Sequence, residues 1–288
     1  MLHPSTIQLL RFHFSLFLMP VYLFALSEVP EVRWPQALLL GFVLHGLVYP
    51  ASNGYNSYMD RDETPIGGLK NPLQPTRQLF YTTLLLDAIA LLLALLFLGW
   101  QTALGILLYI AASKAYSYRG IRLKQYPYLG FAVVFLFQGA LVYLITYGVA
   151  SGQGLDSAGL VAPMLASLLI GALYPLTQVY QHEADLKDGV TTISYRLGKR
   201  GTFLFSGGLF LLAGLLFFFW YQRQGRLNDF WLFLLLTGPV VLFFSWWMWA
   251  VWQNEQSADF KNSLRMNLVA TGCTIIFFST LIYKHHFE

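Results

Sequence analysis

Two stretches of the chain gather carboxylates and amides in otherwise apolar surroundings. The first holds Asn53, Asn56, Asp60, Asp62 and Glu63, and the second Gln178, Gln181, Glu183, Asp185 and Asp188. Each sits at the end of an apolar run. Oxygen ligands of this kind suit Mg2+, which commonly bridges carboxylates to phosphate oxygens. Asp60, Asp62, Glu63, Glu183, Asp185 and Asp188 are therefore the metal-ligand candidates, with Asp60 and Asp185 as the catalytic pair. Asn53, Asn56 and Asp60 recur at three and four residues, so a continuing helix carries them on one face. Gln178, Gln181 and Asp185 repeat that spacing. Pro65 and Gly67-Gly68 break the helix after the first cluster. The loop can then fold over a cavity mouth and bring Lys70 and Arg77 as positive charge for a diphosphate.

Between the clusters lies a basic segment with Lys114, Arg119, Arg122 and Lys124. Lys114 is nearest the apolar sequence, and Arg119 and Arg122 offer planar forks suited to phosphate oxygens. The same cations also satisfy the rule that basic residues mark cytoplasmic loops, which needs no function. One acidic loop alone would read as a solvated membrane boundary. Two on one membrane face suggest a shared metal–diphosphate site. His182 reads as a hydrogen-bonding neighbour of that site, since Mg2+ prefers oxygen, and His45 as a packed interior residue.

The elements that position these groups are membrane spans. The 288 residues are 56% hydrophobic and only 11% charged, against about a quarter charged in soluble domains. The net charge of +4 gives no reason to expect nucleic-acid binding. The lone Cys273 excludes an intramolecular disulfide and any multi-thiolate metal site. A span needs about 20 apolar residues. That rule gives nine segments, roughly 8–27, 36–56, 79–99, 101–117, 127–149, 159–180, 202–221, 229–252 and 265–284, the first expected to be retained. The third and fourth should form a tight antiparallel pair around Gly99. With nine spans, fourteen Lys and Arg fall on one side and four on the other. The bias places the N-terminus and both acidic clusters in the cytoplasm and the C-terminus across the cytoplasmic (inner) membrane. The chain reads as one all-α transmembrane domain over residues 1–288.

These features resemble the UbiA superfamily of intramembrane prenyltransferases, which has nine helices and Asp-rich motifs after the second and the sixth. Asn56 and Asp60 match the first motif, whose third position falls on Thr64. In the second motif Gln181 stands at the first Asp position and Asp185 at the second, followed by Gly189 and Arg196-Leu197-Gly198. Tyr116-Ser117-Tyr118 and Arg122-Leu123-Lys124 look like the loop after the fourth helix. The resemblance implies a lipophilic cavity with a polar cytoplasmic mouth. It also implies Mg2+ as cofactor and an isoprenyl diphosphate donor, ionised to an allylic cation and captured by a lipophilic acceptor. Aromatic or quinone-precursor acceptors are expected, with carotenoid, tetrapyrrole and glycerol phosphate acceptors as alternatives. Membrane lipid is the surrounding partner, and no protein partner is expected. A membrane carrier is the competing class, but carriers place ionisable groups near the bilayer midplane. Here the midspans hold almost no ionisable groups, with Asp87 the main exception.

Overall fold

The computed structural model describes residues 2–153 and 159–288. Its main helices, in chain order, are α1 (Pro4–Ser27), α2 (Trp34–Asp60), α3 (Arg77–Leu98), α4 (Trp100–Ser117), α5 (Pro127–Ser151) and α6 (Val161–Thr177). There follow a short α7 (His182–Lys187), then α8 (Ile193–Arg223), α9 (Leu227–Gln253) and α10 (Phe260–His286). Seven of them, α1–α3, α5 and α8–α10, are long and apolar enough to cross a membrane. At the other two expected positions stand α4, which carries Lys114, and α6, a shorter apolar helix.

Local chemistry explains the departures from regular helix. Pro50 has no N–H to donate one turn back, and the chain accommodates this with a π-helical stretch at Val43–Val48. Only Gly99, at φ 92°, separates α3 from α4. That left-handed residue reverses the chain into the tight pair expected from the sequence. In α5, Gly139 packs so closely on α6 that a Cβ there would lie 2.3 Å from the Ser167 Cα.

Lipid is as apolar as leucine, so helix association within it rests on close packing. Phe24 of α1 supplies a centre, with its ring 5.0 Å from Tyr143, 5.4 Å from Phe217 and 5.0 Å from Phe278. Large apolar side chains such as Leu85, Leu92, Phe97, Leu211, Leu235 and Leu242 point outward, as a bilayer-facing surface requires. At one end of the bundle a buried ionic network joins four helices. Arg226 bonds Glu28 at 3.2 Å and Asp229 at 2.8 Å, and Asp229 accepts from Lys284 at 2.7 Å.

Candidate active site

The opposite end of the bundle opens into a cavity of about 250 Å3. Asp60, the last residue of α2, lines it. Arg61 follows in the left-handed conformation, at φ 54°, and turns the chain so that Asp62 lines the same cavity. Asn53, Asn56, Gln178, Gln181 and Asp185 complete the set that joins the two sequence clusters. Asn56 donates from Nδ2 to Asp60 at 2.8 Å and to Ser117 of α4 at 3.1 Å. The walls below carry aromatic residues, among them Phe17, Tyr49, Tyr109, Phe137 and Tyr174.

The loop after α2 is strapped across the mouth. From α1, Arg11 donates to the Gly67 carbonyl at 3.1 Å and to the Asn53 carbonyl at 3.2 Å. Gln8 donates to the Asn71 carbonyl and accepts from the Leu73 N–H at 2.8 Å. From the other side, Gln181 Nε2 donates to the Pro65 carbonyl at 3.2 Å. A glycine is needed at 67, because a Cβ there would lie 2.7 Å from the Phe14 ring. The residue in the expected acid position thus ties one acidic loop to the other.

Two cations line the cavity among the described residues, Arg11 and Lys124. Lys124 Nζ stands 2.5 Å from Asp60 Oδ2. Burial, and repulsion among Asp60, Asp62, Asp185 and Asp188, raise the remaining acids. Asp62 is pushed up to about 6, against the pull of Lys124 and Arg11, and Asp185 to about 7, against the pull of Lys124. Desolvation is the largest cause for both. The site therefore holds more negative charge than its own cations neutralise.

Other candidates take different places. Asp188 is an arginine partner and does not line the cavity: Arg122 bonds both its carboxylate and, at 2.9 Å, its carbonyl, and Arg119 lies 3.4 Å away. Arg122 also reaches within 3.7 Å of Asp60, so it clamps two loops together. Arg119 donates to the Met59 carbonyl at 2.8 Å and caps the C-terminus of α2. Lys114, read as a diphosphate ligand, instead pairs with Asp87 of α3 at 2.7 Å and lies over the Tyr55 ring. Its amine is spent on holding α3, α4 and α2 together. Glu63, Lys70 and Glu183 are exposed and do not line the cavity. His182 hydrogen-bonds Ser194 at 2.8 Å, and burial and Lys199 lower it to about 4. It pins α7 to the start of α8.

Lys124 and Arg11 line the cavity although sequence reasoning did not single them out as ligands. Both look like ordinary cytoplasmic-face cations in the sequence. Among the described residues, no three His, Cys, Asp or Glu side chains stand close enough to hold a metal ion by themselves.

Comparison with known proteins places the fold and the family. No curated protein matches the chain by sequence. A UbiA homolog from Archaeoglobus fulgidus bound to GPP and Mg2+ is 17% identical, with a TM-score of 0.68 over 96% of this chain and 99% of its own. A UbiA homolog from Aeropyrum pernix K1 is 18% identical, with a TM-score of 0.66 over 92% and 97%. A digeranylgeranylglyceryl phosphate synthase, also 18% identical, gives 0.62 over 96% and 98%. At these identities the likeness shows the fold. The profile of the UbiA prenyltransferase family matches residues 16–269, which takes in both acidic clusters and the basic segment between them. The chain belongs to the UbiA prenyltransferase family.

Proposed function

We propose that this prenyltransferase moves an isoprenyl group from an isoprenyl diphosphate to a lipophilic acceptor of aromatic or quinone-precursor type, with Mg2+ as cofactor. One observation carries the reading: Asp60, Asp62 and Asp185, from two distant parts of the chain, converge with Lys124 and Arg11 at the mouth of an aromatic-walled cavity. The donor set fits the metal. Its atoms are carboxylate oxygens, and Asp60 Oδ1 is buried without a hydrogen-bond partner. A dication would also relieve the repulsion that raises Asp62 and Asp185. Mg2+ usually keeps several waters and takes one or two carboxylates plus phosphate oxygens, so a three-carboxylate cage is not required. When bound, Mg2+ neutralises charge that develops on the departing diphosphate.

The chain's own groups supply the rest. Lys124 and Arg11 add positive charge beside the leaving group. The strap over residues 61–76, held by Arg11, Gln8 and Gln181, keeps that charge in register. The aromatic walls receive the isoprenyl chain, shield the allylic cation from water and offer it ring faces. Nine spans, with the mouth and the N-terminus in the cytoplasm and the C-terminus across the inner membrane, complete this reading, supported by the fourteen-to-four bias of basic residues.

The test is diphosphate release by the purified protein given geranyl, farnesyl and geranylgeranyl diphosphates, with Mg2+ or EDTA and a membrane-lipid extract as acceptor source. Metal-dependent release with a prenylated product is expected. Absence of Mg2+-dependent binding of all three diphosphates would overturn the reading.

A further inference from the structure

Resting on that transferase reading, we infer that the acceptor is a neutral, hydroxyl-bearing lipophile, and that the Tyr49 hydroxyl and the Gln178 carboxamide oxygen recognise it. The charge inventory comes first. Among the described residues the cavity lining carries Arg11 and Lys124 against Asp60, Asp62 and Asp185. Lys124 is held by Asp60, and both terminal nitrogens of Arg11 are held by backbone carbonyls. Lys114, Arg119 and Arg122 lie outside the lining, engaged by Asp87, Met59 and Asp188. The donor's diphosphate claims the positive charge at the mouth. A carboxylate or phosphate on the acceptor would then enter a cavity with no cation to meet it, and an unpaired buried charge is strongly disfavoured.

The neutral groups point the same way. Tyr49 stands eleven residues before Asp60 on α2, about 16 Å deeper at the usual helical rise. Its neighbours in the wall are paired with one another: Tyr109 bonds Gln138 and Ser52, and Ser52 bonds Ser113. Tyr49 itself is 1% exposed, and its hydroxyl has no partner. Gln178, 6% exposed, bonds Tyr174 but leaves its carbonyl Oε1 buried and unpartnered. Buried polar groups are nearly always paired; apart from Arg11 Nε and Asp60 Oδ1 at the mouth, the unpartnered buried atoms of the lining among the described residues are this hydroxyl and this carbonyl oxygen, left for a ligand. A hydroxyl-bearing molecule answers both. A carboxylate would set like against like at Gln178.

The chemistry balances without a further reagent. The bond between C1 and the diphosphate oxygen breaks, and its electron pair leaves with the diphosphate. A bond forms between C1 and the electron-rich carbon or oxygen of the acceptor. The proton that the acceptor loses passes to the departing diphosphate.

The experiment compares matched ligands on the protein already holding geranylgeranyl S-thiolodiphosphate and Mg2+, by calorimetry in detergent. The pairs are 1,4-dihydroxynaphthalene against 1,4-dihydroxy-2-naphthoate, and a monoalkyl glycerol against its phosphate. The neutral member of at least one pair should bind tenfold or more tighter than its anionic counterpart. Equal or tighter binding by both anionic members, or no binding by either neutral one, overturns the inference. Tyr49→Phe and Gln178→Leu should each weaken the neutral ligand about tenfold while the thiolodiphosphate still binds, which also reports folding. Unchanged neutral-ligand affinity in both variants overturns the assignment of these residues. Failure of the unaltered protein to bind the thiolodiphosphate is a separate result, and it overturns the transferase reading itself.

Discussion

Lys124 and Asp60 should behave as one energetic unit. Their charged atoms stand 2.5 Å apart, and their side chains are 10% and 5% exposed. At an effective dielectric constant of about 20, such a pair attracts by about 7 kcal/mol, much of it offset by the cost of taking both ions out of water. Removing one partner strands the other, which typically costs about 3–5 kcal/mol. Arg122, 3.7 Å from the other carboxylate oxygen, still faces Asp60 when the lysine is gone, so about 3 kcal/mol is expected for Lys124→Met. Asp60→Asn should cost a similar amount. The double variant should lose far less than the sum, with a coupling energy of about 2–3 kcal/mol. The assay is reversible unfolding of the four proteins in mixed micelles. Losses that add to within about 0.5 kcal/mol would refute the pairing. Lys124→Met should also weaken donor diphosphate binding roughly 10- to 150-fold, the worth of one charge-assisted hydrogen bond of about 1.5–3 kcal/mol.

Asp60→Asn and Asp185→Asn should each abolish Mg2+-dependent turnover in protein that still folds; near-normal rates in both would discard the site. Without divalent cations, stability should fall as pH rises from about 4 to about 7. The folded state raises Asp62 to about 6 and Asp185 to about 7, so it retains protons that the unfolded chain releases. Asp185 alone contributes on the order of 4 kcal/mol to that slope, and stability rising over this window in EDTA would reverse the sign of the argument. Gln181→Ala removes the bond to the Pro65 carbonyl and should raise the donor KM several-fold while altering kcat less; Gln181→Asn, one methylene short, should rescue only in part. Lys114→Ala should destabilise the fold by about 3 kcal/mol, since it strands Asp87, and leave donor affinity unchanged. A weakened donor with unaltered stability would restore Lys114 to the diphosphate site.

Helix placement was legible because a span demands a long apolar run, and such runs survive any tertiary context. α4 and α6 stand at expected positions, yet both are less regular as spans. Lys114 dilutes the first, and the second gives way to a 3-10 turn at Tyr174–Thr177. Asn56 and Asp60 were legible through helical spacing. Asp62 was readable only as an extra charge, because the left-handed turn at Arg61 that aims it inward leaves no periodic signature. Lys124 lines the cavity and Lys114 does not, for a similar reason. Sequence distance from an apolar run says nothing about which carboxylate a lysine meets, and Asp87 and Asp60 lie far from both. Gln181 looked like a lost ligand, and its use as a strap anchor depends on a carbonyl 116 residues away.

The ionic network around Arg226 has a mechanical consequence. Glu28, Arg226, Asp229 and Lys284 fasten the ends of α1, α8, α9 and α10 on the side away from the cavity mouth. Glu28 and Asp229 are buried, and stranding either is costly, so that end is held firmly. The strap across the mouth is held by single hydrogen bonds to the carbonyls of Gly67, Asn71 and Pro65, each worth about 1 kcal/mol. Lifting the strap therefore costs less than spreading the far end. The same fold ties one end with ion pairs and leaves the loop across the cavity on weaker bonds.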